Sequence, residues 1–247
     1  MSLTVYADVT SPECYHASRR VDALRSRGVE VAWCAIQARP RLQVTSRVLS
    51  PAEQDELRAR FAELEALLRP GEELPWAMPT IGPSGEASVS AYAEAVGAGV
   101  GDDVRRLLFE LYWRDGADIG QPAVLRSPLA GAILRGHSEA EPLRESGYVV
   151  SVDRGPITTN AYRRIRTWHV QWQQLGCPPL PVLLADAATL HGLDALRWLG
   201  KELDRVSDTP PQRLEDPRRY PPQSVHPSGS WISQTGGRWR YCHRLVP

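Results

Sequence analysis

The chain opens on an apolar run, Leu3-Thr4-Val5-Tyr6-Ala7, which predicts a buried strand over Leu3–Val9. Ser11 and Pro12 follow it as a helix N-cap and first helical residue, where the missing proline N–H costs nothing. Cys14, Ala17, Val21 and Leu24 then fall on one helical face, so the helix runs to about Arg27 and ends at Gly28. In Val29–Ile36 the apolar Val29, Val31 and Trp33 alternate with Glu30 and Ala32, which is strand behaviour. The first 36 residues therefore read as a β-α-β unit. Parallel units of this kind carry their sites at the C-terminal ends of strands, where Ser11 sits.

Beyond residue 45 the period becomes helical. Pro51–Leu68 places Leu57, Phe61, Leu64 and Leu68 on one face, and Arg69–Gly85 is a Pro/Gly loop. Val89–Val96 is helical, Asp102 or Asp103 caps a further helix, and Pro122–Leu134 is another, broken at Pro128. Asn160 is placed as the cap of a long helix, Ala161–Leu175, stopped by Gly176. A short strand at Pro178–Asp186, its hairpin partner at Thr189–Gly192 and a helix capped by Asp194 complete the ordered pattern. From Arg205 the chain is rich in Pro, Gly, Arg and Ser and reads as an extended tail with one possible strand, Arg238–His243. These shifts divide the chain into 1–41, an all-helical insertion at 42–150, a return at 151–206 and a tail at 207–247.

Composition narrows the function classes. With 247 residues, 42% hydrophobic and 23% charged, the chain buries a sizeable core. Zero formal net charge points away from nucleic acid and anionic membranes. No apolar run approaches the ~18 residues of a membrane span, and the N-terminus lacks the basic and apolar regions of a signal peptide. A cytoplasmic setting is expected, in which Cys14, Cys34, Cys177 and Cys242 are free thiols. Neither these cysteines nor the six scattered histidines show metal-ligand spacing, so no metal is expected. Lys201 is the only lysine and lies far in sequence from Ser11, which argues against Schiff-base chemistry there. Neither a GxGxxG or phosphate loop nor a Gly-x-Ser-x-Gly elbow is present.

The candidate chemistry lies in "DVTSPECY", residues 8–15. A strand that runs through Ser-Pro-x-Cys into a helix resembles the Cys-Pro-His-Cys-Tyr of DsbA, with Ser11 in place of the first cysteine. It is also similar to the Ser-Pro-Tyr-Ser of kappa-class glutathione transferases and 2-hydroxychromene-2-carboxylate isomerases, with Glu13 replacing the aromatic residue and Cys14 the second serine. In "LGCPPLPVLL", Leu180-Pro181 matches the position of the family's cis-proline, and in "LHGLDALRWLG" Gly192 and Asp194 match the segment that holds the γ-glutamyl group, although Leu193 departs from its serine. The resemblance implies an α/β thioredoxin-like fold of the DsbA family with a helical insertion, covers about 200 residues and excludes the tail. It further implies a low-molecular-weight thiol cosubstrate, glutathione or mycothiol, held by Leu180, Pro181 and Asp194, and a homodimer.

Each residue also has a plain structural reading. Ser11 is a helix cap worth ~1 kcal/mol, and its hydroxyl with the first-turn N–H groups also suits a bound thiolate. Cys14 at the third helical position is either a buried apolar filler or the single cysteine of a mixed-disulfide site. Pro12, Glu13, Tyr15 and Trp76 are candidates for a substrate pocket; Glu13 otherwise reads as a surface residue, and His16 as solvated. Trp168 and Trp172 read as core stripe. Three functions follow: a thiol-dependent isomerase or transferase acting on a small aromatic or polyketide-like molecule through Ser11, a thiol-disulfide oxidoreductase using Cys14, or a binding protein without catalysis.

Overall fold

The computed structural model describes residues 2–38, 45–75, 78–135, 158–186 and 188–207. All of them fall in one compact unit, Met1–Pro210; Trp76 and the tail from residue 208 lie outside the described residues, as do residues 39–44 and 136–157. Strand β1 (Ser2–Ala7) leads through the Ser11 cap into α1 (Pro12–Arg25), and Gly28 at φ +83° turns the chain into β2 (Glu30–Ala35). Later come β5 (Val182–Ala185), β6 (Ala188–His191) and α7 (Gly192–Ser207). They complete a four-stranded sheet ordered β2-β1-β5-β6, with β1 parallel to β2 and antiparallel to β5. This is an α/β thioredoxin-like arrangement. β1 is central, which explains its unbroken apolar run: Leu3 and Val5 have no exposed surface.

Between β2 and β5 lie α2 (Pro51–Glu65), α3 (Gly85–Gly97), α4 (Gly101–Trp113), α5 (Pro122–Arg135) and α6 (Thr159–Gln174). A two-residue pairing of β3 (Arg47–Val48) with β4 (Ile81–Gly82) brackets α2, a hairpin-like element too short to carry an alternation in sequence. The insertion is fastened to the sheet domain by an aromatic cluster. Tyr15 of α1 meets Phe109 edge-on at 6.0 Å, Trp113 packs against Tyr112 and Phe61, and Trp113 Nε1 donates to the Val9 carbonyl at 2.8 Å. Arg105, almost wholly buried, donates from Nη1 to the Ser18 carbonyl at 2.8 Å, pairs with Asp22 and lies 5.0 Å from the Trp33 ring.

Three helix starts differ from their sequence expectation. α4 begins at Gly101 after Val100, leaving Asp102 and Asp103 in its first turn, where they favour the helix dipole and pair with arginines. α6 is capped by Thr158, whose Oγ1 accepts from Ala161 N–H at 3.1 Å; the Glu94 carboxylate, reaching from α3, accepts from both the Thr158 N–H and its hydroxyl. Asp194 lies in the first turn of α7, which starts two residues earlier at Gly192, φ +55°. α5 also runs on through Pro128, so the proline does not break it.

Candidate active site

The site is assembled where β1 ends. Asp8 shapes the turn: its Oδ1 accepts from the Thr10 N–H and hydroxyl at 2.8 Å, its Oδ2 from Ala38 N–H at 2.9 Å, and its carbonyl from Ser11 N–H at 3.1 Å. That turn sets Ser11 in extended backbone ahead of Pro12, and its Oγ accepts from the Cys14 N–H at 3.3 Å. The remaining contacts of the hydroxyl come from further away. Ser11 Oγ donates to Glu13 Oε2 at 2.6 Å and accepts from Arg60 Nη2 at 3.3 Å, while Arg60 Nε donates to Glu13 Oε1 at 2.8 Å and Nη2 also pairs with Oε2. Ser11, Glu13 and Arg60 thus form a closed triangle of hydroxyl, carboxylate and guanidinium, with the guanidinium delivered by α2 from the insertion.

Burial pushes the Glu13 carboxyl up, but the Arg60 hydrogen bonds and charge, helped by the Ser11 hydroxyl, outweigh it and hold Glu13 below the usual carboxylate range. Glu13 is therefore an ionised, nearly buried group and not the surface residue its sequence position implies. Cys14 lies directly beneath with no exposed surface, and burial pushes its thiol far above the ordinary range. The Ser11 hydrogen bond pulls the other way, but burial outweighs it, and the nearby Glu13 and Asp8 charges push in the same direction as burial. Of the two sequence readings for Cys14, the buried filler is the one its position fits.

The triangle opens onto a cleft of about 890 Å³. Across it lie Cys177, Leu180, His191 and Asp194, with Arg47 and Tyr112 along one wall. The Leu180-Pro181 peptide bond is cis, and the Pro181 carbonyl accepts from Gly192 N–H at 2.8 Å, tying this loop to the start of α7. Ser11, Glu13, Leu180 and Asp194 are thus brought to one cleft. Tyr15 is not: its ring is buried in the aromatic cluster with Phe109 and Trp113, because the second helical turn faces the core, and Pro12 is buried at the helix start without lining the cleft. Trp76 falls outside the described residues. Asp194 is largely exposed and pairs with Arg197 at 2.7 Å.

A scan of the chain against family models matches the DSBA-like thioredoxin domain over residues 2–138. The chain belongs to that family. No curated protein matches it. Among solved structures it is similar to a probable DsbA oxidoreductase from Streptomyces coelicolor, at 19% identity and a TM-score of 0.59, covering 88% of this chain and 94% of that one. It is also similar to the cytosolic disulfide reductase DsbM from Pseudomonas aeruginosa, solved with GSH, at 14% identity and a TM-score of 0.54 over 84% and 98% of the two chains. A 2-hydroxychromene-2-carboxylate isomerase aligns at 17% identity with a TM-score of 0.54, over 84% and 96%. At such identities these likenesses concern the fold.

Within this DSBA-like frame, two features escape a reading of the sequence. Arg60 stands 47 positions from Glu13, with nothing local to link them. His16, expected to be solvated, is fully buried on α1: its Nε2 lies 3.0 Å from Glu72, which also takes Arg20 Nε at 2.9 Å, while Arg20 Nη1 donates to the Leu196 carbonyl at 2.5 Å. His16 and Arg20 of α1 instead hold the loop after α2, and Arg20 also holds helix α7. Among the described residues no group of three His, Cys, Asp or Glu side chains is placed to hold a metal, and no helix is long and apolar enough to cross a membrane.

Proposed function

We propose that this protein is an enzyme that binds a low-molecular-weight thiol, glutathione or mycothiol, at Ser11 and uses it to isomerise or conjugate a small aromatic or polyketide-like molecule. One observation carries the reading: the helix end that a dithiol enzyme fills with an exposed cysteine here presents a hydroxyl, hydrogen-bonded to Arg60 and open to the cleft, above a sealed Cys14. A thiolate docked there meets a guanidinium, a hydroxyl and the positive end of α1, the environment that keeps thiols ionised at neutral pH. Leu180, ahead of the cis bond on the cleft wall, and the carboxylate of Asp194 are the groups that would hold the peptide-like arm and amine of the thiol. The low-identity likeness to an isomerase and to a reductase solved with GSH is compatible with this assignment.

Isothermal calorimetry with glutathione and with mycothiol tests it. Binding of one of them should weaken in Ser11→Ala by at least about tenfold, as roughly 1.5–3 kcal/mol for a hydrogen bond to a charged group requires. Equal affinity in the variant, or no binding of either thiol, overturns it. A second reading, thiol-disulfide exchange, is favoured by Cys177, a free and exposed thiol on the wall of the same cleft. It requires dithiol activity that Cys14→Ser or Cys177→Ser abolishes, whereas the thiol-binding reading requires that Cys14→Ser leave binding largely intact.

A further inference from the structure

The triangle at the end of β1 poses a charge problem. Arg60 is the only cation in it, and Glu13 already claims that cation through both carboxylate oxygens. A second anion placed at Ser11 would sit about one hydrogen-bond length from the serine, whose own oxygen is 2.6 Å from Glu13. Two anions crowded onto one partly screened guanidinium cannot both stay ionised cheaply; one of them takes up a proton, as in any closely coupled acid pair. The hydrogen-bond directions already indicate which. Ser11 spends its single proton on Glu13, and its two lone pairs accept from Arg60 and from the Cys14 N–H, so an S–H arriving from the cleft takes the place of the Arg60 N–H on Oγ and leaves that guanidinium facing the sulfur.

We propose that Glu13 is the proton acceptor for the thiol bound at Ser11, with Arg60 as the cation that Glu13 shares with the thiolate. The inference rests on the thiol-binding reading above. Ser11 Oγ accepts the proton as the S–H bond breaks and passes its own hydrogen to Glu13 Oε2. The S–H proton ends on the serine, the serine's on the carboxylate, and the electron pair stays on sulfur; nothing is oxidised or reduced. Ser11 then donates to the thiolate instead of to Glu13, and Arg60, no longer facing a full negative charge on Glu13, neutralises the sulfur. Before that transfer, Glu13 is ionised and kept so by Arg60. Losing part of that partner and gaining a negative neighbour, while staying buried, are the changes that raise a carboxyl's proton affinity.

Two arms test this, and they separate its failure from that of the thiol-binding reading. In the first, glutathione is titrated into the full-length protein at neutral pH in phosphate and in Tris, whose ionisation heats differ, with thiolate absorbance recorded. A free thiol that ionises on binding near neutral pH releases close to one proton to buffer, because its ordinary pKa is about 8.5. The expected result is thiolate formation with well under half a proton released, rising towards one in Glu13→Gln. Release of a full proton by the wild type, or no change in Glu13→Gln, overturns the acceptor role.

The second arm needs no ligand. Ser11→Cys places a thiol where Oγ now sits, in a Cys177→Ser, Cys242→Ser background, and the pH profile of its alkylation by iodoacetamide is followed. Adding Glu13→Gln should lower the midpoint and adding Arg60→Gln should raise it, each by roughly one to three pH units for a charge within ~4–6 Å. Equal midpoints overturn the shared-cation account. If glutathione fails to bind while these midpoints move as expected, the thiol-binding reading fails for that thiol and the coupled Glu13–Arg60 site stands.

Discussion

At the scale of single residues, two cysteines of the cleft region differ through their surroundings and not through their sequence context. Cys14 occupies the third position of α1, a place that depresses thiols when they reach solvent, yet it is sealed and pushed up by burial. Cys34 is similarly pushed up to about 12 by burial alone. Cys177 is exposed, in a left-handed turn at φ +52° after Gly176. Alkylation of the native protein near pH 8, mapped by mass spectrometry, should therefore modify Cys177 within minutes and leave Cys14 and Cys34 intact until denaturant is added. Rapid native labelling of Cys14 would contradict the burial on which the reading of Ser11 depends. The sequence shows Ser11, Cys14 and Glu13 as neighbours, but which of them faces the cleft depends on the roll of α1. A single apolar stripe could not reveal that roll, since Glu13, Cys14 and Tyr15 are all buried, against different partners.

At the scale of elements, α1 is held by more than its apolar face. His16 and Arg20, one helical turn apart, converge on Glu72, whose carboxyl burial pushes up and their hydrogen bonds pull well below its ordinary 4.5. Because the folded value is depressed, the stability this carboxylate contributes is present above about pH 4.5 and is lost as the pH falls through the lower folded value. Glu72→Gln should cost about 3–5 kcal/mol at pH 7, since it strands a buried guanidinium, and the gap to wild type should narrow steadily between pH 5 and pH 2 in urea unfolding curves. A gap independent of pH would contradict the charge-based account. This tie was illegible in the sequence because Glu72 lies in a loop over fifty residues away; periodicity reports which positions repeat, not what a polar one meets. The same limit applies to α6. Asn160 is the better N-cap by local preference, yet Thr158 takes the role because Glu94 grips its N–H and hydroxyl. By contrast, the start of α1 was plain, since Ser11 and Pro12 decide it locally.

At the scale of the whole molecule, the sheet and the insertion each supply half of the site. The turn after β1 and the start of α1 contribute Ser11 and Glu13, the loop before β5 contributes Leu180, and α2 contributes Arg60, bonded to Ser11 and Glu13. The order of elements was readable because strand alternation and helical spacing survive in sequence, and the three motifs at residues 8–15, 175–184 and 190–200 were enough to indicate the family. The cation was not readable: α2 is one of several arginine-bearing helices, and only its packing over α1 singles out Arg60. The central claim is that this cleft holds an external thiol at a serine and does not exchange disulfides through its own cysteine. The most direct measurement is a crystal structure of the full-length protein soaked with glutathione or mycothiol. The account predicts a non-covalent sulfur within hydrogen-bonding distance of Ser11 Oγ, roughly 3.0–3.5 Å away, with Arg60 turned towards it. A sulfur bonded to Cys14 or Cys177 at the ~2.05 Å of a disulfide, or a cleft that takes up neither thiol, would contradict it.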